Sequence, residues 1–130
     1  MAFHVHQDRN IDRQLSNSEP FSAFIKKIGA DSIFQRSRIK FPLTVITTDI
    51  ADETEVTKVT ERDWVFLDMS KDTESNDPNA LDAFKVLIDQ KSTGQVIYSR
   101  VGIDNGILIQ YTFQKEQSRW FLYLIEEKSI

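Results

Sequence analysis

Cysteine is absent from this chain of 130 residues, and glycine, proline and histidine are scarce, with four, three and two copies. Without cysteine the protein has no disulfide framework, no thiolate nucleophile and no cysteine-based metal site. Long hydrophobic runs are also missing, because stretches such as residues 121–125 are far shorter than the ~20 apolar residues of a membrane-spanning helix. The length and composition predict one small domain with a single core.

Positive charge is limited, since 16 lysines and arginines are outnumbered by 20 aspartates and glutamates, which gives a formal net charge of −4. Neutralising a polyanion requires clustered lysine and arginine. The group formed by Arg36, Arg38 and Lys40 is balanced by acidic stretches at residues 49–55 and 68–77. The sequence therefore argues against a nucleic-acid partner, and it predicts that the acidic stretches are solvated loops.

The two histidines, His4 and His6, have a spacing that would place both imidazoles on one side of an extended segment. Two ligands do not complete a zinc shell, and no third histidine or cysteine is available. A Ser-His-Asp triad would have to recruit one of the same two residues. We therefore interpret both histidines as surface residues and predict no metal site.

Paired carboxylates such as Glu126 and Glu127 lie in predicted loops or at a strand end. An acid–base pair needs burial that separates the two pKa values, which these positions do not provide. A glycine-rich phosphate loop is also missing, because Gly102 and Gly106 flank a predicted hairpin turn and neither begins a helix. The sequence predicts no catalytic residue and no cofactor.

The first 17 residues carry charges scattered among single hydrophobic residues, which predicts an extended or poorly ordered arm before one domain at residues 18–130. The arm has no apolar leader region and no cleavage-site pattern. We expect either a cytoplasmic protein or the mature part of a cell-envelope or periplasmic protein whose leader has been removed.

Two helices are predicted at the start of the domain. Residues 18–20 combine a capping hydroxyl with a proline that needs no N–H donor, and Gly29 is a helix-stop signal. Between them, hydrophobic residues occur at helical spacing, namely Phe21, Phe24, Ile25 and Ile28. Asp31 is the predicted cap of a second, short helix that ends before residues 40–42, where proline disfavours helix.

Two strands and a loop are expected next. Residues rich in β-branched side chains predict strands at 43–48 and 54–60. Residues 60–63 have the pattern of a capping box, which would place Trp64 on a helical turn against the core. Residues 68–79 combine Ser, Asn, Asp and Pro with few hydrophobic side chains, which predicts a loop.

From Phe84 onward the hydrophobic period becomes that of β-strands. The first strand ends before a turn at residues 91–94, and three more are predicted at residues 95–101, 107–114 and 119–127. The connecting turns are too short for parallel crossovers, so the four strands are expected to form an antiparallel meander. On the third strand one face carries Ile107, Ile109, Tyr111 and Phe113.

The last strand is hydrophobic on both faces. One face carries Arg119, Phe121, Tyr123 and Ile125, and the other carries Trp120, Leu122 and Leu124. The sequence does not decide which set faces the helices. Such a strand is expected to be covered twice, by helices on one side and by a partner chain, a loop or a curled sheet edge on the other. Pairing of two sheet faces into a homodimer is one such arrangement.

Residues 24–43, with the pattern Asp-Ser-Ile-Phe-Gln-Arg-Ser-Arg beginning at Asp31, resemble a family of Bacteroidetes proteins known as domain of unknown function 4348. The likeness extends to about residues 18–130, through Trp64 and the aromatic pattern of the last two strands. Members resemble NTF2-like, cystatin-type folds and are often taken to be lipoproteins.

The resemblance implies an α+β fold, an NTF2-like cone in which N-terminal helices pack on a strongly curved antiparallel sheet with a pocket at its mouth. It also implies a cell-envelope location and no enzyme activity. The lipobox cysteine and leader of the family are missing from the sequence as given.

Three hypotheses for function follow. The first is a non-catalytic NTF2-like binding or interaction module that holds a small apolar ligand or a protein partner. The second is an immunity or inhibitor protein, since small acidic domains suit a basic toxin surface. The third, by analogy of fold, is a small-molecule pocket enzyme of the isomerase or dehydratase kind, which would need an ionisable cluster in its hollow.

The predicted ligand contacts are Arg38, Trp64, Tyr98, Tyr111 and Trp120. A buried arginine must be paired, so a structural ion pair with a sheet residue is the alternative for Arg38. The inward positions of the last four strands are expected to offer Tyr98, Tyr111 and Tyr123 with hardly any carboxylate, which favours the non-catalytic hypothesis.

Overall fold

The computed structural model describes residues 18–72 and 83–129. Within these residues two helices are followed by six strands, with one 3₁₀ turn between the second and third strands. The elements are α1 (Phe21–Ala30), α2 (Ser32–Ser37), β1 (Ile39–Thr48), β2 (Thr54–Val59), the 3₁₀ turn (Glu61–Asp63), β3 (Phe84–Ser92), β4 (Gln95–Gly102), β5 (Ile107–Glu116) and β6 (Arg119–Ser129). The arm predicted at residues 1–17, with His4 and His6, lies outside the described residues.

The strands form one open, curved sheet in the order β2-β1-β6-β5-β4-β3. The meander of β3 to β6 is antiparallel, which confirms the prediction for the C-terminal half. β1 pairs antiparallel with β2 but parallel with β6, so the sheet is mixed and not wholly antiparallel. Short turns fix the direction of consecutive strands, but they carry no information about β1 and β6, which are far apart in sequence.

The predicted cap is wrong for α1 and correct for α2. No side chain caps α1, because Pro20 occupies the cap position and the Ser18 hydroxyl accepts a hydrogen bond from Lys115 Nζ at 2.9 Å. The predicted Ser18 cap is therefore wrong. Asp31 caps α2 as predicted, since its Oδ1 accepts hydrogen bonds from the backbone N–H groups of Ile33 and Phe34, both at 3.0 Å.

Gly29 lies inside α1 and does not end it, because the helix continues to Ala30. The glycine is needed for a close approach between α1 and the chain at Met69. The Met69 N–H donates to the Gly29 carbonyl at 2.9 Å, and a Cβ added to Gly29 would lie 2.9 Å from Met69 Cβ. This glycine is therefore present because α1 and the chain at Met69 pack closely, and not because the helix ends there.

We expect Gly29→Ala to lower the free energy of unfolding by roughly 1–2 kcal/mol, because the new methyl group would push the Met69 backbone away from the helix. Gly94→Ala is the matched control, since no atom lies within 4 Å of the position its Cβ would take. Urea denaturation measures both changes. Equal losses for the two variants would contradict the packing role of Gly29.

Residues 60–63 do not form a capping box. Thr60 Oγ1 lies 3.3 Å from Asp63 Oδ2, and no side-chain hydrogen bond caps the short 3₁₀ turn. The two strands predicted before this region are confirmed, with residues 43–48 inside the longer β1 and residues 54–59 forming β2.

The core lies between the two helices and one face of the sheet, here called the inner face. Phe24 of α1 is 1% exposed and packs edge-on against Phe113 of β5, with ring centroids 5.5 Å apart. Phe21 contacts Phe113 and Trp120 in the same way, at 5.5 and 5.2 Å. The remaining large buried apolar residues are Ile28, Ile39, Leu43, Met69, Val96, Tyr98, Tyr111, Leu122 and Ile125. Burial of this apolar surface is the main force that stabilises the fold.

A β-bulge at Tyr123 explains the two hydrophobic faces of β6. Phe113 pairs with Leu122, and the preceding residue of β5, Thr112, pairs with Leu124, so Tyr123 is an extra residue. The buried positions of β6 are consequently Trp120, Leu122 and then Ile125, which combines the two sets that strict alternation would separate. The sequence position of Tyr123 had suggested an inward side chain, but Tyr123 does not face inward. Its hydroxyl donates to the Glu116 carboxylate.

Candidate functional site

Two cavities open on the inner side of the sheet. The Ile88 cavity, with a volume of about 450 Å³, lies between α1 and strands β3 and β4. The Trp64 cavity, with a volume of about 410 Å³, lies between the chain at residues 63–67 and strands β1, β5 and β6. Tyr98 lines the first cavity and Tyr111 the second, and their rings pack edge to face with centroids 6.0 Å apart.

The Ile88 cavity has mainly apolar walls. Two turns of α1 supply one wall, and alternate residues of β3 supply the other, because residues two apart on a strand point to the same side. The apolar lining residues are Phe21, Ile25, Met69, Val86 and Ile88, and the polar ones are Ser22, Lys26, Ser70, Asp72 and Tyr98.

A buried charged cluster lies beside this cavity. Asp72 is 8% exposed and accepts two hydrogen bonds from Arg100, from Nε to Oδ2 and from Nη2 to Oδ1, both at 2.9 Å. The Tyr98 hydroxyl donates to Asp72 Oδ2 at 2.8 Å. Asp72 lies in one of the acidic stretches predicted to be solvated loops, and for this residue the prediction is wrong.

The environment of the cluster raises the pKa of both Tyr98 and Arg100, which keeps the tyrosine neutral and the arginine charged. Burial, followed by the hydrogen bond to Asp72, raises the pKa of Tyr98, so the phenol is held neutral. Burial alone would lower the pKa of Arg100, but the Asp72 carboxylate outweighs it and the pKa is raised. The cluster therefore contains a neutral phenol and a guanidinium that stays protonated.

The Trp64 cavity combines aromatic and acidic side chains. It is lined by Val45, Asp63, Trp64, Val65, Phe66, Leu67, Tyr111, Ile125 and Glu127. Burial is the main cause that raises the pKa of Tyr111 to about 12; the positive charge of Arg100 opposes the shift, and the charges of Asp72 and Glu127 add smaller contributions to it. Tyr111 is thus a neutral phenol at physiological pH.

Gln35 holds the chain that forms one wall of the Trp64 cavity. It is 2% exposed, and its Nε2 donates to the carbonyls of Ile28 at 2.8 Å and Leu67 at 2.9 Å. Its Oε1 accepts from Trp64 Nε1 at 3.0 Å and from the Leu67 N–H at 2.9 Å. One buried amide therefore satisfies four polar groups and fixes the indole of Trp64.

Arg38 and Trp120 lie outside both cavities and are bound to Glu19. Arg38 Nη1 is 2.6 Å from Glu19 Oε1 and donates to the Trp120 carbonyl at 3.1 Å. Trp120 donates from its backbone N–H to Glu19 Oε1 and from Nε1 to the Glu19 carbonyl, both at 2.9 Å. The structural ion pair considered for Arg38 is present, although its partner precedes α1 and is not a sheet residue.

The position of Glu19 also affects its ionisation. Burial alone would raise the pKa of Glu19, but the hydrogen bonds from Arg38 and from the Trp120 N–H outweigh it, so the pKa lies below its ordinary value. This clamp joins the start of α1 to the start of β6.

Of the five predicted ligand contacts, Trp64, Tyr98 and Tyr111 line cavities, but not the same one. Two polar residues that shape the cavities, Gln35 and Asp72, were not predicted. Gln35 lies within the family-like motif, which was a usable signal. Asp72 lies in a run of polar residues with no periodicity, so nothing local distinguished it from its neighbours.

Neither a candidate metal centre nor a helix that could span a membrane is found in the described parts of the chain. No three His, Cys, Asp or Glu side chains of residues 18–72 and 83–129 converge in a way that could hold a metal ion. Both helices in these ranges also lack the length and hydropathy required to cross a bilayer.

Solved structures place the fold in the NTF2-like class. An NTF2-like protein from Bacteroides fragilis is 30% identical, with a TM-score of 0.60 over 87% of this chain and 48% of the other. The present chain thus spans about half the length of that protein. A cystatin-like protein from Bacteroides caccae shares the fold at 18% identity, with a TM-score of 0.62 over 84% of this chain and 76% of the other.

The family follows from a match to the sequence itself. The model described as Domain of unknown function (DUF4348) matches residues 7–127, and the chain belongs to this family. The match begins inside the segment predicted to be an arm. Among curated proteins, none matches this chain.

Proposed function

We propose that the chain is a non-catalytic binding module of the NTF2-like class and that its Ile88 cavity holds a small, mainly apolar molecule. The observation that carries the proposal is the cavity itself, whose volume of about 450 Å³ lies in the range typical of small-molecule sites. Its walls come from Phe21, Ile25 and Ile88, on elements that the sheet and core hold in place.

The cluster of Asp72, Arg100 and Tyr98 is an ionisable cluster of the kind that the enzyme hypothesis requires, but the state of Asp72 favours a binding role over a catalytic one. Among the described residues, Asp72 is the one carboxylate lining this cavity, and its two oxygens already accept three hydrogen bonds from Arg100 and Tyr98. A general base must reach the proton that it removes from a substrate. A carboxylate bound in this way serves the structure of the cavity floor, and it leaves the apolar walls as the surface for a ligand.

Lys26 favours a ligand with an anionic end. The side chain lines the mouth of the cavity, is exposed, and forms no ion pair with any residue in the described ranges. A molecule whose apolar body fills the cavity would leave its polar end at the mouth, beside this ammonium group.

Ile88→Asp is the sharpest test of this site, and Leu87→Asp is its control. The two residues are adjacent on β3, are 56% and 50% exposed, and point to opposite faces of the sheet. Only Ile88 lines the cavity. We expect Ile88→Asp to weaken binding of the fluorescent probe anilinonaphthalene sulfonate, and of decanoate in competition with it, by roughly tenfold or more, because a carboxylate would enter the apolar wall.

The comparison of the two variants decides the matter. Leu87→Asp should bind both molecules like the unaltered protein. Equal weakening in the two variants, or binding of neither molecule by the unaltered protein, would contradict a ligand site in the Ile88 cavity.

We also propose a cell-envelope location, on the basis of the family resemblance.

The two alternative functions make different predictions. An immunity protein would co-purify tightly with a toxin encoded beside it, and an isomerase or dehydratase would turn over a molecule bound in the cavity. Either result would replace the non-catalytic proposal.

A further inference from the structure

The Trp64 cavity has a chemistry different from that of the Ile88 cavity. Its lining includes the aromatic rings of Trp64, Phe66 and Tyr111 together with the carboxylates of Asp63 and Glu127. None of the described residues that line it is a lysine, arginine or histidine. Two arginines contact the lining from outside it: Arg36 donates to the Trp64 carbonyl at 3.2 Å, and Arg100 lies 5.7 Å from the Tyr111 ring centroid and is paired with Asp72. The charges that line the cavity itself are negative, which favours a positively charged ligand.

The indole of Trp64 is fixed in the wall of the cavity. Its Nε1 is used in the hydrogen bond to Gln35 Oε1, at 3.0 Å, and its ring packs edge-on against Phe41 with centroids 6.2 Å apart. The polar atom of the side chain is therefore not free for a ligand. The ring that lines the cavity is thus held in one orientation before any ligand arrives, and its π-electrons can attract a cation.

The hydroxyl of Tyr111 supplies a second indication of a ligand. Tyr111 is 3% exposed, yet its hydroxyl makes no hydrogen bond with any residue in the described ranges. No fully buried side-chain nitrogen or oxygen there lacks a partner, so this oxygen must reach the open space of the cavity that Tyr111 lines. In the open cavity this hydroxyl can hydrogen-bond to water, and it is available in the same way to a polar group of a bound molecule.

The carboxylate of Glu127 completes the arrangement. In the sheet register Glu127 lies opposite Ile109 of β5 and Thr47 of β1, one step along the inner face from Tyr111. Glu127 is exposed and forms no ion pair with a described residue. Its negative charge is therefore not neutralised by a neighbouring side chain of that part of the protein.

We propose that the Trp64 cavity binds a small organic cation, an amine or quaternary ammonium compound, with the charge against the aromatic rings and beside Glu127 and Asp63. The inference is independent of the ligand proposed for the Ile88 cavity, because the two sites share no lining residue. A cation is attracted to aromatic faces most strongly where water is excluded, and adjacent carboxylates add to the attraction.

Choline and its neutral carbon isostere, dimethylbutanol, test the charge requirement. The two molecules have nearly the same shape, so a difference in affinity reports the charge alone. Binding is followed through the NMR signal of the Trp64 indole N–H, in titrations at low ionic strength. We expect choline to shift this signal and to bind roughly fivefold or more tightly than the alcohol. No shift with millimolar choline, or equal affinity for the two molecules, would overturn the proposal.

Neighbouring glutamates provide the matched variants. Glu127 faces the cavity, whereas Glu126 is next to it on β6 and faces the opposite side of the sheet. We expect Glu127→Gln to weaken choline binding roughly three- to tenfold and Glu126→Gln to leave it unchanged. Equal weakening by the two changes would indicate a general attraction to an acidic protein and would contradict a defined site.

Phe66→Leu tests the aromatic contribution without disturbing the core, since Phe66 is 36% exposed. The apolar volume is nearly kept and the π-face is lost. We expect weaker binding of choline and unchanged binding of dimethylbutanol. A parallel loss for both molecules would show that the ring acts only as apolar surface.

Discussion

Replacement of the buried amide in Gln35→Met is expected to lower the free energy of unfolding by roughly 3–5 kcal/mol. The methionine has a similar shape, so little volume is lost, but four hydrogen bonds disappear. The change leaves the Trp64 indole N–H, both backbone groups of Leu67 and the Ile28 carbonyl without these partners. Each buried polar group left unsatisfied costs about 1–3 kcal/mol, and some of these groups will recover water.

Gln90→Met is the control for this experiment. Gln90 lies on β3 and is exposed, so the same chemical change there should alter stability by no more than about 0.5 kcal/mol. Chemical denaturation followed by circular dichroism gives both free energies. The Trp64 fluorescence of the Gln35 variant should also change below the unfolding transition, because the indole loses its anchor. A loss below about 1 kcal/mol would mean that Gln35 does not hold this wall.

The second large effect is expected for Asp72→Asn, with a loss of roughly 2–4 kcal/mol. The amide is as large as the carboxylate, but it leaves the guanidinium of Arg100 without its counter-charge, and the side chain of Arg100 is only 15% exposed. Breaking a buried pair by removing one partner is strongly destabilising for this reason. The estimate lies below that for a fully buried charge because Arg100 retains some contact with water.

A double substitution separates the charge effect from packing. Asp72→Asn combined with Arg100→Met should be less destabilised than the sum of the single variants, since no buried charge is then left unpaired. Asp89→Asn is the exposed control, because Asp89 is 61% exposed in its pair with Lys91 and should contribute at most about 1 kcal/mol. Additive losses for Asp72 and Arg100 would show that the two side chains act independently.

Local sequence patterns were sufficient for most of the secondary structure. The spacing of Phe21, Phe24, Ile25 and Ile28 predicted α1, and the alternation after Phe84 predicted the four-stranded meander. Both patterns reflect the side-chain periods of helices and strands. The parallel pairing of β1 with β6 depends on the route of the chain between distant segments, and no local period records it.

The candidate sites were predicted less completely, for a physical reason. Aromatic type alone suggested Trp64, Tyr98 and Trp120, but it could not show that Trp120 is fully engaged by Phe21 and Glu19. Likewise, an aspartate in a polar stretch becomes part of a buried cluster only because Arg100 and Tyr98 face it from β4. The role of such residues is set by partners that are remote in sequence.

The extra residue at position 123 changes how β6 should be interpreted. A strand that is apolar on both sides is usually assumed to be sandwiched between two layers. Because of the bulge, β6 changes the side that it presents to the helices partway along its length. Much of its apolar surface is therefore buried by one layer alone. A second covering layer, such as another copy of the protein, is therefore not required to account for the composition of this strand.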